Sequence, residues 1–179
     1  MDLRTAANTT FSLLTIFSQA VTVVLILSLL FFRKRAKKLL SFFSKNAILF
    51  AFLVATVSTL GSLFYSEILK YEPCKLCWFQ RIAMYPMSVL FGIALLKRDK
   101  KVVDYGLIFS GVGAVIALYH YLLQVGVVKS GDCAAVGYSV SCAQRFVLEF
   151  GYITIPMMAF AGFLLIFTLS LVAKLTKNN

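Results

Sequence analysis

Long apolar stretches dominate the chain, and short segments containing charged residues or glycine separate them. Five stretches are long enough to cross about 30 Å of hydrocarbon at about 1.5 Å of helical rise per residue. They are residues 11–32, 47–66, 78–96, 104–124 and 152–173. The pattern predicts five membrane-spanning helices with short connections and no separate water-soluble domain.

Composition agrees with this interpretation. Of the 179 residues, 60% are hydrophobic, and the mean hydropathy is +0.88, which is too apolar for a water-soluble domain of this size. The first stretch is long, its basic cluster follows it, and no small-residue cleavage site comes after it. We therefore expect it to be a retained span rather than a signal peptide.

Basic residues are distributed unevenly between the two sides of the predicted spans. Twelve of the 18 lysines and arginines lie in the loop after the first span, the loop after the third, and the C-terminal tail. They are Arg33, Lys34, Arg35, Lys37, Lys38, Lys45, Lys97, Arg98, Lys100, Lys101, Lys174 and Lys177. The positive-inside rule predicts that these segments are cytoplasmic and that the N-terminus is outside. The net charge of +11 is thus a topology signal rather than a nucleic-acid-binding face.

All four cysteines fall in the two loops that this topology places outside. Cys74 and Cys77 precede the third span, and Cys133 and Cys142 follow the fourth. The outer side is oxidising, so disulfides persist there. Three pairings are possible, and proximity in sequence favours Cys74 with Cys77 and Cys133 with Cys142. A two-residue spacing closes too small a loop for a strong staple, but it suits reversible dithiol–disulfide exchange.

Two other interpretations of the cysteines stay open. The four thiols would supply a complete zinc site, although eight residues separate Cys133 from Cys142 and the compartment is oxidising. Two structural disulfides would stabilise the outer loops. Spacing, compartment and neighbouring residues together favour redox exchange, with no metal.

Polar residues near the outer ends of two spans indicate a ligand site. Arg81 follows Cys77 by four residues, on the same helix face, and its charge and the helix N-terminus favour a thiolate. His120, the only histidine, lies about one turn from the outer end of the fourth span, with Gln124 one turn further on. Arg81, His120 and Gln124 would hold a quinone headgroup, whose oxygens accept hydrogen bonds. The alternatives are an arginine that only reaches the interface and a packed histidine.

Several motifs resemble one known family. PCKLCWFQR at 73–81, YHYLLQ at 119–124, SCAQR at 141–145 and ITIPMMAF at 153–160 are similar to the DsbB/BdbC disulfide-bond-formation family. The resemblance implies an all-α integral membrane protein: a DsbB-type four-helix bundle plus one additional N-terminal transmembrane helix. Residues 1–45 would be that helix with its basic cytoplasmic loop, and residues 46–179 the DsbB-like domain.

The resemblance also implies a function and roles for the cysteines. The protein would reoxidise a DsbA-like thioredoxin-fold dithiol and pass the electrons to quinone, ubiquinone or menaquinone, in the bacterial cytoplasmic membrane. Cys133 would form the mixed disulfide with the partner, and Cys142 would resolve it. Electrons would then pass to Cys74 and on to Cys77, which would react with quinone near Arg81.

Two further hypotheses remain at this level. One is a vitamin K epoxide reductase-like enzyme, which also couples cysteine pairs to a quinone. The other is a non-enzymatic membrane scaffold with structural disulfides.

Overall fold

A computed structural model describes residues 2–128 and 141–177 of the chain. The described part contains six α-helices: α1 (Leu3–Leu30), α2 (Lys37–Lys45), α3 (Ala47–Leu63), α4 (Lys75–Lys97), α5 (Val102–Gln124) and α6 (Ile155–Lys177). No β-strand occurs within these residues, and one β-bridge pairs Glu149 with Ile153. The expected all-helical fold is confirmed.

Five of the helices are long and apolar enough to cross a membrane, as the hydropathy pattern predicts. α1 nevertheless begins at Leu3, eight residues before the predicted span, because hydropathy locates the hydrocarbon-crossing part rather than the whole helix. Polar residues such as Asn8 extend the helix beyond the apolar stretch. The protein is a multi-pass membrane protein.

The short helix α2 lies in the basic loop, where no helix was predicted. It is amphipathic: its lysines are exposed, whereas Leu40 is buried and Phe43 packs against a cluster that includes Leu25 of α1 and Leu169 of α6. A nine-residue helix is marginal alone, so this packing stabilises it. It joins α1 to the base of the bundle.

Helices α3, α4, α5 and α6 form a four-membered bundle in which consecutive helices pack together and α6 closes against α3. Small residues let these helices approach closely, as is usual in membranes. A Cβ atom at Gly113 of α5 would collide with the ring of Phe163 on α6. α1 lies outside the ring of four and packs against α6.

The C-terminal end of α3 continues as a π-helical turn, Phe64–Ile68. This turn contains Tyr65, which is buried and donates a hydrogen bond to Asn8 Oδ1 of α1 (3.2 Å). Tyr65 also stacks on Tyr71, which stacks in turn on Phe146. The aromatic stack fixes the segment that leads from α3 to Cys74.

Candidate thiol redox site

The first cysteine pair lies at the start of α4. Cys74 has an extended backbone, and its carbonyl accepts the first hydrogen bond of the helix from Trp78 N (3.2 Å). Cys77 lies within the first turn, and the two sulfur atoms are 3.5 Å apart. Two thiols at this distance are in contact, so a small side-chain movement brings them to bonding distance.

His120 of α5, the helix packed beside α4, lies next to this pair of cysteines. Its ring is almost completely buried, and Nε2 lies 3.6 Å from Cys74 Sγ and 3.1 Å from the carbonyl oxygen of Cys142. A carbonyl oxygen only accepts hydrogen bonds, so Nε2 carries a proton. Nδ1 lies 3.0 Å from the side-chain amide of Gln80. Both ring nitrogens are therefore engaged by protein groups.

Cys142, from the second pair, reaches the same place. It is buried and packs with Cys74 and Leu123, and Leu76 and Cys77 border the cluster. The position of its predicted partner, Cys133, lies outside the described residues. Both cysteines of the first predicted pair and one of the second thus lie in or beside a single buried cluster.

The segment after Cys142 is tied to the end of α5. Gln124 Nε2 donates to the carbonyl oxygen of Gln144 (2.8 Å), and Arg145 Nε donates to the carbonyl oxygen of Gln124 (2.7 Å). These reciprocal bonds hold the loop over the cysteine cluster. Gln124 Oε1 is also buried and has no hydrogen-bond donor among the described residues.

The environment of Cys74 keeps its thiol protonated. The hydrogen bond to Cys77, followed by burial, raises the pKa of Cys74 to about 12. At neutral pH the reduced Cys74 is therefore an S–H donor rather than a nucleophile.

Arg81 lies one helical turn beyond Cys77 and is held by neutral groups. Its Nε donates to Ser62 Oγ (3.0 Å), its Nη2 donates to the Ser62 carbonyl oxygen (3.2 Å), and the guanidinium lies over the ring of Trp78 at 5.2 Å. The Tyr85 hydroxyl donates to the same Ser62 Oγ (3.2 Å). No carboxylate pairs with Arg81 in the part of the chain that the structure describes. A guanidinium has five N–H donors, so three remain for a ligand.

A cavity of about 330 Å³ connects the sulfur cluster with Arg81. Cys77, His120, Gln124, Arg81 and Tyr85 all line it, and most of its remaining wall is apolar. It lies between α1, α3, α4 and α6. An apolar cavity with a few polar groups is typical of a small-molecule site.

The donor set also resembles a metal site. Cys74 Sγ, Cys77 Sγ and His120 Nε2 all lie within 4.8 Å of one another, and thiolate and imidazole are common zinc ligands. This set differs from the four-cysteine zinc site considered on sequence grounds, because the histidine contributes to it. The same two sulfurs are the atoms that dithiol exchange would use, and a protonated Nε2 has no lone pair for a metal, so the geometry favours exchange.

Three residues of the site were not predicted from the sequence. Gln80 follows Cys77 by three residues, so helical spacing places it on a neighbouring face, but its histidine partner is on another helix. Ser62 and Tyr85 join the arginine through contact between α3 and α4. No local sequence signal marks Ser62.

The fold and the site together define the class: a helical membrane protein with a buried cluster of thiols beside an imidazole. A family model described as "Disulfide bond formation protein DsbB" matches residues 44–173. The chain belongs to this family, which acts in membrane thiol oxidation.

Curated relatives give the same picture. The chain is 45% identical to "Probable disulfide formation protein C" of Bacillus cereus over 120 residues, which cover 67% of this chain and 86% of that protein. It is 43% identical to "Probable disulfide formation protein" of Oceanobacillus iheyensis over 129 residues, 72% and 88% of the two chains. "Disulfide bond formation protein C" of Bacillus subtilis is 41% identical over 138 residues, 75% and 99% of the two chains. No solved structure gave a significant match. The family match favours the thiol oxidase among the three hypotheses.

Proposed function

We propose that this protein reoxidises an extracytoplasmic, DsbA-like thioredoxin-fold dithiol and passes the electrons to membrane quinone. Residues 46–179 would form the catalytic domain, in the bacterial cytoplasmic membrane, with both cysteine loops on the extracytoplasmic side. The distribution of basic residues supports this orientation.

One observation carries the proposal: Cys142 packs against Cys74, and a cavity leads from Cys77 to Arg81. The first contact is what transfer between two cysteine pairs requires. The cavity gives the sulfur of Cys77 access to a membrane-soluble acceptor.

The thiol steps follow from these positions. A partner thiolate attacks Cys133, which breaks the Cys133–Cys142 bond and leaves Cys142 as a thiolate. Attack of Cys142 back on Cys133, the resolving step that the resemblance implies, only restores the starting pair and releases the partner still reduced, so forward transfer requires Cys142 to attack Cys74. That attack forms a Cys74–Cys142 bond, breaks Cys74–Cys77 and leaves the electron pair on Cys77.

The remaining bonds close the cycle. The second thiol of the partner displaces Cys133 from the mixed disulfide and leaves the partner oxidised. Cys133 then attacks Cys142, which restores the second pair and releases Cys74. The balance is one partner dithiol oxidised to its disulfide and one Cys74/Cys77 disulfide reduced to the dithiol, with the two protons of the partner dithiol passing to the new thiols.

The residues that line the cavity have the hydrogen-bonding groups and the apolar surface that a quinone requires. Bound quinone supplies an acceptor for two electrons and two protons. Arg81 has N–H donors that no group in residues 2–128 or 141–177 uses, and headgroup oxygens accept such bonds. Gln124 and His120 line the same cavity, and apolar side chains form most of its wall. Gln124 Oε1 only accepts hydrogen bonds, so it would suit a hydroxyl of the reduced headgroup rather than a quinone oxygen. His120 also holds a proton between Cys74 and Cys142, so its contacts serve sulfur exchange.

A trapping experiment tests the partner side. A reduced thioredoxin-fold partner that lacks its second cysteine should form an adduct with this protein that is visible on a non-reducing gel and absent with reductant. The adduct should disappear in Cys133→Ala. If it survives that change and depends on Cys74 or Cys77 instead, the two pairs have the opposite roles.

Orientation has its own test. A membrane-impermeant thiol reagent applied to intact, reduced cells should label the cysteine loops. Labelling that appears only after permeabilisation would contradict the extracytoplasmic placement.

A further inference from the structure

Helix α1 lies before the region that the family model matches, yet it forms one wall of the cavity. Five residues of α1 line the cavity: Phe11, Leu14, Thr15, Phe17 and Ser18. Their spacing of three, four and seven residues places them on one stripe of the helix. The cavity is therefore not complete without α1.

Specific contacts fix α1 at its outer end and along its length. The ring of Phe11 covers Gly61 so closely that a Cβ atom there would lie 2.8 Å from Phe11 Cε1. The Ser18 hydroxyl donates to the Ala161 carbonyl oxygen of α6 (3.1 Å), and the Tyr152 hydroxyl donates to Gln19 Oε1 (2.9 Å).

The inner end is fixed as well, because Arg33 Nη2 donates to the Leu175 carbonyl oxygen (3.3 Å). Contacts at both ends of the bundle mean that α1 is an integral wall rather than a loosely attached anchor.

The α1 wall offers contact surface but no group that would bind a polar headgroup. Leu14 and Phe17 are apolar, and the hydroxyls of Thr15 and Ser18 already donate to backbone carbonyls. Leu14 is 45% exposed and Phe17 is 68% exposed, so this side of the cavity opens toward lipid. The cation and its spare donors lie at the other side, on α4.

We propose that α1, together with α3 and α6, forms a subsite for the apolar isoprenoid tail of the quinone and so sets preference for tailed over tailless quinones. This inference rests on the proposed function. The headgroup lies toward Arg81, and the tail leaves the cavity past Leu14 and Phe17 into the bilayer.

The single tryptophan gives a binding signal that does not depend on activity. Trp78 stacks on Arg81, and quinones quench indole fluorescence at short range. Titration of the purified full-length protein with a decyl-tailed and a tailless benzoquinone, in the same detergent, gives two dissociation constants for each variant.

Neighbouring residues supply matched variants. Leu14→Ala with Phe17→Ala removes side chains from the cavity wall. Leu13→Ala with Ile16→Ala is the control, because Leu13 and Ile16 are exposed on the same stretch of α1 and do not line the cavity. Detergent partitioning of the quinones is the same for both.

We expect the cavity variant to bind the tailed quinone about tenfold more weakly, which corresponds to about 1.4 kcal/mol, and to bind the tailless quinone as the unmodified protein does. The control should bind both quinones normally. Unchanged binding of the tailed quinone by the cavity variant, or an equal loss in the control, would overturn the inference.

Failure of the proposed function would look different. In that case neither quinone would quench Trp78 saturably in the unmodified protein. Normal binding of both quinones that is insensitive to the α1 variants would overturn the tail subsite alone.

Discussion

The two ends of the cavity are chemically unlike. At the sulfur end, Cys74 contacts both Cys77 and His120, and both ring nitrogens of the histidine are used by protein groups. At the cation end, Ser62 accepts both hydrogen bonds that Arg81 donates among the described residues, and donors remain for a ligand.

This difference separates two tasks. A cluster whose polar atoms contact one another suits exchange among its own sulfurs, as the proposed function requires. A cation with unused N–H groups beside an apolar cavity is arranged for a ligand that accepts hydrogen bonds. Variants at the two ends should therefore affect different substrates.

The largest effect is expected from Cys77→Ser. Serine cannot form the Cys74–Cys77 disulfide, so quinone reduction should fall to the background rate. The Cys133–Cys142 disulfide is unaffected, and the adduct with a single-cysteine partner should still form on a non-reducing gel. Substantial quinone reduction by this variant would show that Cys77 is not the residue that faces the acceptor.

Arg81→Ala should act on the quinone alone. Loss of a charged hydrogen bond is worth about 1.5 to 3 kcal/mol, so the quinone KM should rise roughly ten- to a hundredfold. Adduct formation with the partner should not change. Arg81→Lys is the control, because it keeps the charge but loses the planar guanidinium. Its quinone KM should lie between that of the unmodified protein and that of Arg81→Ala. Unmodified quinone kinetics in Arg81→Ala would reduce this residue to an interfacial anchor.

His120→Phe should act mainly on the sulfurs. The change removes the N–H donor between Cys142 and Cys74, and one lost hydrogen bond of about 1 kcal/mol slows single-turnover oxidation of the partner roughly fivefold. Acid quenching followed by thiol labelling measures that rate.

His120→Gln is the matched control, because it retains an amide N–H and should recover part of the rate. A raised quinone KM with normal thiol exchange would instead place His120 with Arg81 at the cation end.

The smallest effect is expected at Ser62, which positions Arg81. Ser62→Ala removes the hydroxyl that accepts bonds from both Arg81 and Tyr85, whereas Tyr85→Phe removes only one of these bonds. Because the Ser62 carbonyl still accepts a bond from Arg81 Nη2 in Ser62→Ala, the quinone KM should rise only about two- to threefold in that variant and less in Tyr85→Phe. Equal effects of the two changes, or a larger one in Tyr85→Phe, would contradict this arrangement.

Hydropathy predicts the five spans well because a helix that crosses hydrocarbon needs about 20 apolar residues whatever its neighbours are. It does not predict α2, whose nine residues depend on the packing of Leu40 and Phe43. It also places the start of α1 too late, since polar residues continue a helix outside the membrane.

The residues of the site also fall into those that the sequence predicts and those that it does not. The sequence predicts that Cys74, Cys77 and Arg81 lie close together, because all three fall within two turns at the start of one helix. Ser62 was not predicted, because it lies 19 residues before Arg81 and meets it only through the pairing of α3 with α4. The part of α1 in the cavity wall likewise follows from helix packing, which the hydropathy of α1 does not encode.

The most direct measurement of the central claim mixes the purified protein with a reduced thioredoxin-fold partner and a soluble quinone and follows quinone absorbance together with partner thiols. We expect one quinone to be reduced for each partner dithiol oxidised, and no quinone to be reduced when either the partner or Cys77 is removed. Oxidation of the partner with no matching loss of quinone absorbance would contradict this expectation.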